Sequence, residues 1–308
     1  MEKLFATQIS PLTKQGNSES DLDILVGSNI MRSQSKTVAY GFCSVQYLTQ
    51  GLGYPIVLLP SLGRGPADFD RLADLLVVAG LKVIRPFPRG MGQSYGTTHD
   101  LTLHDLAEDV AAVIEQEGEP DAIVTGHALG NFIARTVATD FPLLVRGVAL
   151  LAASAGKAPE GQSTIPSDIL DSVYQSGEVS LPDSLRLQHL QKAFFAPGND
   201  PAIWLDGWYP AVKAIQNAAW RATPVDDYFS AGTAPLLDVQ ALQDTVAPRT
   251  FSHVLKEALG DRVTVAHVDR AGHALIPEQP GAVAMALGDW VTKLLSAPGV
   301  PASNSRRA

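Results

Sequence analysis

The sequence Gly-His-Ala-Leu-Gly-Asn at residues 126–131 decides the interpretation of the fold. It follows an apolar run at Asp121–Thr125, which has the composition of a buried strand, and it precedes a segment with helical spacing. The small residues Gly126 and Gly130 allow the chain to turn sharply between the two, with Ala128 at the apex. The stretch therefore predicts a strand, a tight turn and a helix in succession.

The same alternation of apolar runs and helical spacing extends along most of the chain. Continuous apolar strands are typical of a parallel sheet covered on both faces, and strands separated by helices form βαβ units. A further strand around Val38, Tyr40 and Phe42 alternates in polarity and is predicted to be antiparallel near a sheet edge. The predicted buried strands are Pro55–Pro60, Leu81–Pro86, Asp121–Thr125, Gly147–Ala153, Pro235–Ala241 and Arg262–Val268.

The fold class predicted from this pattern is α/β, with a mostly parallel sheet flanked by helices. Residues 36–154 and 233–296 form the predicted core, and residues 155–232 are a helical insertion after the sixth strand. An N-terminal extension at residues 1–35, with at most a short strand at Leu22–Val26, and a flexible tail at residues 297–308 complete the predicted organisation.

The predicted insertion at residues 155–232 is unusually aromatic. It contains three of the four tryptophans of the chain. Rings concentrated in one helical insertion indicate a cap over an apolar pocket, although most of them are expected simply to pack the cap against the core. The predicted pocket residues are Phe194, Trp204, Trp208, Tyr209 and Trp220.

Two residues after later strands complete a candidate catalytic group. Asp244 follows the run Pro235–Ala241, and His273 follows the run Arg262–Val268. The carboxyl ends of parallel strands meet at one edge of a sheet, so we expect both side chains near Ala128. A carboxylate that holds one imidazole nitrogen fixes the tautomer and stabilises the imidazolium.

These motifs resemble those of the α/β-hydrolase superfamily, over roughly Thr37 to Leu295. The turn at residues 126–131 resembles the G-x-S-x-G nucleophile elbow, and the chain order of elbow, acid and histidine is the same. Residues 89–94 (RGMGQS) are similar to the R-G-x-G-x-S loop of the superfamily, and residues 59–65 (LPSLGRG) stand where it usually has His-Gly. The resemblance implies oxyanion-hole donors at the backbone N–H groups of Leu62 and Leu129.

The departure from the superfamily pattern is Ala128 at the nucleophile position. A methyl group cannot attack a carbonyl carbon, so the chain as written has no route through a serine acyl-enzyme. Four residues are candidate substitutes for the nucleophile, and each is better explained as a turn, capping or buried residue: Ser61, Ser94, Ser154 and Cys43.

Two explanations of Ala128 remain open at this point. One is a serine replaced by alanine to trap an intact substrate. The other is a natural alanine, which is favoured because residues 126–131 and 193–200 (AFFAPGND) resemble a bacterial group of α/β-hydrolase-like proteins with alanine here. The retention of Asp244 and His273 fits either explanation.

Three functions follow from these residues. The first is an enzyme that acts on a small or medium apolar carbonyl compound, an ester or lactone. The second is proton abstraction by His273 and Asp244, as in cofactor-free lyases, isomerases and oxygenases related to this superfamily. The third is a binding protein that uses the pocket as a receptor.

Composition excludes several other classes. The formal net charge of −9 and the lack of a basic tract argue against a nucleic-acid partner, and no apolar run is long enough to span a membrane. The histidines have no metal-ligand spacing, and no glycine stretch is a dinucleotide fingerprint, so no metal and no cofactor are expected. A single cysteine and no secretory signal indicate a cytoplasmic protein, which we expect to be a monomer or homodimer.

Overall fold

A central eight-stranded sheet organises the computed structural model, which describes residues 32–158, 163 and 165–296. The strands are β1 (Gln34–Tyr40), β2 (Cys43–Gln50), β3 (Tyr54–Leu59), β4 (Leu81–Pro86), β5 (Ala122–His127), β6 (Val145–Leu151), β7 (Leu236–Ala241) and β8 (Val263–Val268). They lie in the order β1-β2-β4-β3-β5-β6-β7-β8.

The pairing of the strands confirms the predicted fold class. β1 pairs antiparallel with β2, and β2 pairs antiparallel with β4, whereas all later neighbours are parallel. Ile56 of β3 lies opposite Ile123 of β5, and Val124 of β5 lies opposite Val148 of β6. Because each parallel pair needs a crossover connection, the sheet requires helices on its faces.

Helices cover both faces of the sheet and divide the core into two layers. The α-helices are α1 (Asp70–Val78), α2 (Leu103–Gln116), α3 (Leu129–Asp140), α4 (Ser167–Ser176), α5 (Asp183–Ala193), α6 (Pro210–Ala222), α7 (Val225–Tyr228), α8 (Val254–Leu259), α9 (Leu275–Glu278) and α10 (Pro280–Ser296). Apolar side chains of α2 and α3 pack in one layer, and those of α1 and α10 pack in the other.

Local sequence explains where the elements begin. All six residues of β5 are buried, as its uninterrupted apolar composition predicts. Helix α2 begins with a capping box, in which the Thr102 backbone N–H donates to Asp105 Oδ2 at 2.8 Å and the Thr102 side chain accepts from the backbone in return.

Two strands differ from the sequence-based expectation. β2 was not predicted, because Cys43–Gln50 mixes polar and apolar residues, and Phe42 lies in the turn before it rather than in β1. The expectation that every parallel strand is covered on both faces is wrong for β8, where Thr264, Val265 and His267 are exposed. β8 is the last strand of the sheet, so no further crossover helix is needed to cover that part of its surface.

Between β6 and β7 the described residues form helices α4 to α7 and no strand. Buried aromatic and aliphatic side chains of this helical segment pack together with Val246 and Ala274 of two core loops. The predicted strand at Leu22–Val26 and the predicted tail at residues 297–308 lie outside the described residues. No helix in the described part of the chain is long and apolar enough to cross a membrane.

Candidate active site

The turn between β5 and α3 places Ala128 in a conformation that non-glycine residues rarely adopt. Its φ is 48° and its ψ is −113°, and its backbone N–H donates to Leu151 O in β6 at 3.1 Å. A positive φ at a residue with a Cβ costs on the order of 1–3 kcal/mol and persists only where the surrounding structure holds it. Such strain is common at active sites.

The two glycines of this turn are needed for close backbone approach. A Cβ at Gly126 would lie 2.1 Å from Gly130 O, and a Cβ at Gly130 would lie 2.4 Å from Leu59 O in β3. Side chains are thus excluded at both positions by backbone atoms, which cannot move without displacing β3 or α3. The sequence interpretation of the turn rested on these two residues.

A buried network behind the turn was not predicted from sequence. The Asn131 side-chain amide donates to Ala128 O, and Arg135 Nη2 donates to Asn131 Oδ1 at 2.7 Å. Arg135 is fully buried between the rings of Phe132 and Tyr228, and burial lowers its pKa to about 10. The signal in the sequence was an asparagine after the turn with an arginine four residues later, which places both on one face of α3.

The structure brings Asp244 and His273 together. His273 Nδ1 lies 2.9 Å from Asp244 Oδ2 and 3.2 Å from Oδ1, and both side chains are buried. Asp244 Oδ1 also accepts hydrogen bonds of 2.8 Å from the backbone N–H groups of Val246 and Ala247. The carboxylate is therefore fixed from two sides, and His273 faces the same cavity as Ala128.

His127 supports the histidine loop rather than facing the cavity. It is completely buried, and its Nε2 donates to His273 O at 2.8 Å, because a carbonyl oxygen can only accept. Burial, and to a lesser extent the charge of His273, lowers the pKa of His127 to about 3. The ring is therefore neutral at physiological pH.

Leu62 and Leu129 both border the cavity beside Ala128. Leu129 is the first residue of α3, so its N–H has no acceptor within the helix. Leu62 lies in the turn after β3. The N–H of Gly63, the next residue in that turn, donates to Gln216 Oε1 of α6 at 2.7 Å. The two N–H groups predicted for the oxyanion hole thus lie in the two turns that meet at the cavity.

The cavity has a volume of about 420 Å³ and lies between the sheet edge and the helical segment. Of the five predicted pocket residues, Phe194, Trp208 and Trp220 line it. Trp204 does not, because it is 1% exposed and packs behind the lining against His127 and Phe194. Tyr209 does not either, and 44% of its surface is exposed.

The four residues considered as substitute nucleophiles fall into two groups. Ser61 and Ser154 line the cavity, and Ser154 Oγ accepts from Gly156 N at 3.1 Å. Ser94 is a turn residue, because its Oγ accepts from Gln46 N and donates to Phe87 O, each at 2.9 Å. Cys43, expected to be buried, is half-buried at the start of β2.

A carboxylate links the helical segment to the histidine loop. Glu278 Oε1 accepts from Ala196 N at 2.7 Å and from Asn199 Nδ2 at 2.6 Å, while its Oε2 accepts from Gly272 N at 2.7 Å. Burial raises the pKa of Glu278, and these hydrogen bonds oppose the rise. Glu278 is not predictable from sequence, because a glutamate in a short helix carries no motif.

The loop at residues 193–199 also contacts, through its backbone, both loops that carry the candidate residues Asp244 and His273. Thr245 Oγ1 donates to Ala193 O at 2.9 Å, and Ala274 N donates to Phe194 O at 2.8 Å. It therefore joins the segments that follow β7 and β8. Among the described residues no cluster of His, Cys, Asp and Glu side chains has the composition of a metal site.

The fold described above, together with a match to a family model, shows which protein family the chain belongs to. Residues 54–280 match the model of the alpha/beta hydrolase fold, so the chain belongs to the α/β-hydrolase fold family. Among curated proteins it is 28% identical over 263 residues to "Putative carbamate hydrolase RutD" of Variovorax paradoxus, with 81% of this chain and 96% of that protein covered.

Solved structures show the same fold. A thermophilic esterase from Thermogutta terrifontis has a TM-score of 0.68 at 18% identity, with 86% of this chain and 99% of the esterase covered. The esterase EaEST from Exiguobacterium antarcticum has a TM-score of 0.67 at 17% identity, with 85% and 100% covered. At these identities the likenesses show the shared fold, whereas the family model supports a hydrolase.

Proposed function

We propose that the chain hydrolyses a small or medium carbonyl compound, an ester or a lactone, by direct attack of water rather than through an acyl-enzyme. The observation that carries the proposal is the buried Asp244–His273 pair, which shares a cavity with an apex that has no hydroxyl group. Helices α4 to α7 serve as the cap that covers the substrate.

In the proposed reaction His273 Nε2 takes a proton from water as the water oxygen bonds to the carbonyl carbon. The N–H groups of Leu62 and Leu129 stabilise the negative charge that develops on the carbonyl oxygen. The carbon–oxygen bond to the leaving alcohol then breaks, and the imidazolium returns the proton to that alcohol. Asp244 stabilises the imidazolium between these steps.

The role of His273 is tested by initial rates on p-nitrophenyl esters, a γ-lactone and an aryl carbamate, the last because of the activity named for the relative. We expect steady turnover by the unmodified chain and a loss of about 100-fold or more in His273→Ala, since general-base catalysis contributes that much. His253→Ala, at an exposed histidine, is the matched control. Equal rates in His273→Ala and the control would contradict the proposal.

The role of Ala128 is tested by Ala128→Ser. A hydroxyl at the apex restores the missing nucleophile, so an activated aryl ester should give a burst of about one product per chain. The unmodified chain should show no burst. A linear time course in Ala128→Ser would show that the apex is not aligned with His273, which contradicts the proposal.

A second function, proton abstraction next to a carbonyl, is favoured by the same missing hydroxyl group. It predicts exchange of α-protons of a ketone into deuterated water that depends on His273, without hydrolysis of any ester. A binding protein predicts affinity without either reaction and little effect of Asp244→Asn on that affinity. These outcomes would replace the hydrolytic proposal.

A further inference from the structure

The charged side chains that line the cavity are both cations. Lys213 and Arg221 of α6 border it, and none of its described lining residues is an aspartate or glutamate. The chain as a whole carries a net charge of −9, so a cavity lined only by positive charge is opposite in sign to the protein around it. Such a site attracts anions and repels cations.

Lys213 is partly buried and has no carboxylate partner within 4.0 Å among the described residues. Its Nζ donates to Tyr174 O of α4 at 3.3 Å and lies 4.8 Å from the centre of the Tyr174 ring. Burial lowers the pKa of Lys213, although the charge of Glu178 opposes this. By contrast, five other lysines form ion pairs: Lys36, Lys82, Lys157, Lys192 and Lys256.

A partly buried cation without a counterion costs free energy that an anionic ligand would recover. An ammonium has three N–H donors, and the Tyr174 carbonyl takes one of them. The remaining donors are available to a ligand in the cavity that Lys213 lines. A carboxylate supplies both the negative charge and the acceptor oxygens for these donors.

Asn217, one turn further along α6, adds a second unsatisfied group. It lines the cavity, and its Oδ1 is buried without a hydrogen-bond partner in the described part of the chain. Lys213 and Asn217 are four residues apart and share one face of the helix. The side-chain NH₂ group of Asn217 has no hydrogen-bond partner among the described residues, so it can donate to the same carboxylate.

Lys213 is also close to the reaction centre. A Cβ at Gly63 would lie 2.9 Å from Lys213 Cβ, and Gly63 directly follows Leu62. The Cβ of Lys213 therefore packs against the turn that carries the predicted oxyanion hole, and its ammonium group lies at α4. A ligand with its carbonyl group at Leu62 therefore lies next to the stem of Lys213 in the same cavity.

We propose that the substrate carries a carboxylate in addition to its reactive carbonyl group, and that Lys213, assisted by Asn217, binds this carboxylate. The proposal rests on the proposed function for the position of the carbonyl group. It adds a carboxylate to the small or medium apolar carbonyl compound expected from sequence, whose connecting carbons would contact the aromatic lining.

Binding is tested with two ketones that cannot be hydrolysed, 5-oxohexanoate and the neutral 2-heptanone, titrated by calorimetry against the full chain. We expect the unmodified chain to bind the anion at least tenfold more tightly. Lys213→Met keeps the aliphatic stem and should abolish the preference, whereas Lys213→Arg should keep most of it. Lys293→Met, at an exposed lysine of α10, is the matched control and should not change it.

Equal affinities in the unmodified chain, or a preference that persists in Lys213→Met, would overturn the inference. Rates of hydrolysis distinguish the inferred carboxylate site from the proposed function. The two esters compared are mono-p-nitrophenyl glutarate, which carries a carboxylate, and p-nitrophenyl pentanoate, which does not. Hydrolysis of both esters at equal kcat/KM, lost in His273→Ala, would refute the carboxylate and leave the hydrolase intact. Selective binding of 5-oxohexanoate without any hydrolysis would refute the hydrolase and leave the carboxylate site intact.

Discussion

At the scale of single residues, the turn around Ala128 depends on the absence of side chains at its two glycines. A Cβ at Gly130 would lie only 2.4 Å from Leu59 O, although Gly130 lies in the first turn of α3, where an alanine would otherwise favour the helix. Packing against backbone therefore overrides helix propensity at this position.

The prediction at this scale compares two helical glycines. Gly130→Ala should lower the free energy of unfolding by about 3 kcal/mol, because backbone must shift to make room. Gly288→Ala in α10 should raise it by about 0.5–1 kcal/mol, since a Cβ there meets nothing within 4 Å and alanine favours the helix. Urea denaturation measures both, and equal changes would show that the contact at Gly130 relaxes freely.

Some residues of the site could be predicted from sequence and others could not. The pairing of Asp244 with His273 follows from chain order, because the ends of parallel strands meet. The positions of Trp204 and Tyr209 do not, since the direction of an aromatic side chain in a helical insertion depends on tertiary packing. The charge of the cavity was also missed, because Lys213 has no motif that marks it as a lining residue.

At the scale of elements, uninterrupted apolar runs predict the parallel strands. The mixed polarity of β2 gives no such pattern, so this strand is not predicted from sequence. The polarity pattern of a segment predicts whether it forms a strand that is covered on both faces. It does not identify an edge strand such as β8, because the exposure of that strand depends on the order of strands in the sheet. Helices of this fold also contact one another through side chains at their ends. One of these side chains, His104, changes charge with pH.

His104 joins three helices by hydrogen bonds. Its Nδ1 lies 2.7 Å from Asp140 Oδ2 of α3, and its Nε2 lies 3.5 Å from Asp227 Oδ2 of α7. The hydrogen bond to Asp140 raises the pKa of His104, while partial burial opposes the rise. The stabilising contribution is therefore complete below the unfolded pKa of 6.5 and is lost as the pH rises through the folded value.

We expect His104→Gln to lower the free energy of unfolding by about 0.5 kcal/mol at pH 5.5 and by almost nothing at pH 9. The value is small because 39% of the side chain is exposed, and solvent screens such pairs. His99→Gln, at an exposed histidine in the loop before α2, is the control. Urea denaturation at both pH values measures the difference, and a cost that is equal at both would contradict the assignment to the charged form.

At the scale of the whole molecule, Trp204 connects the helical segment to the core. Its ring contacts His127 of β5, Phe194 and Phe195 of the 193–199 loop, and the guanidinium of Arg64. It is among the largest fully buried side chains of the described chain. A residue predicted to contact substrate thus holds two parts of the protein together.

Trp204→Ala should lower the free energy of unfolding by about 3–5 kcal/mol, because it leaves a cavity where core and helical segment meet. Ile203→Ala, at the neighbouring residue that is 56% exposed, should change it by no more than about 0.5 kcal/mol. Denaturant unfolding followed by circular dichroism measures both. A loss confined to α4–α7, with the core transition unchanged, would show that the helices unfold independently.

The 193–199 loop has a consequence for anyone who redesigns this protein. The peptide groups of this loop, whose Phe194 lines the cavity, brace the loops that carry Asp244 and His273, through Thr245, Ala274 and Glu278. Substitutions made in this loop to admit bulkier molecules would therefore loosen the imidazole at the same time.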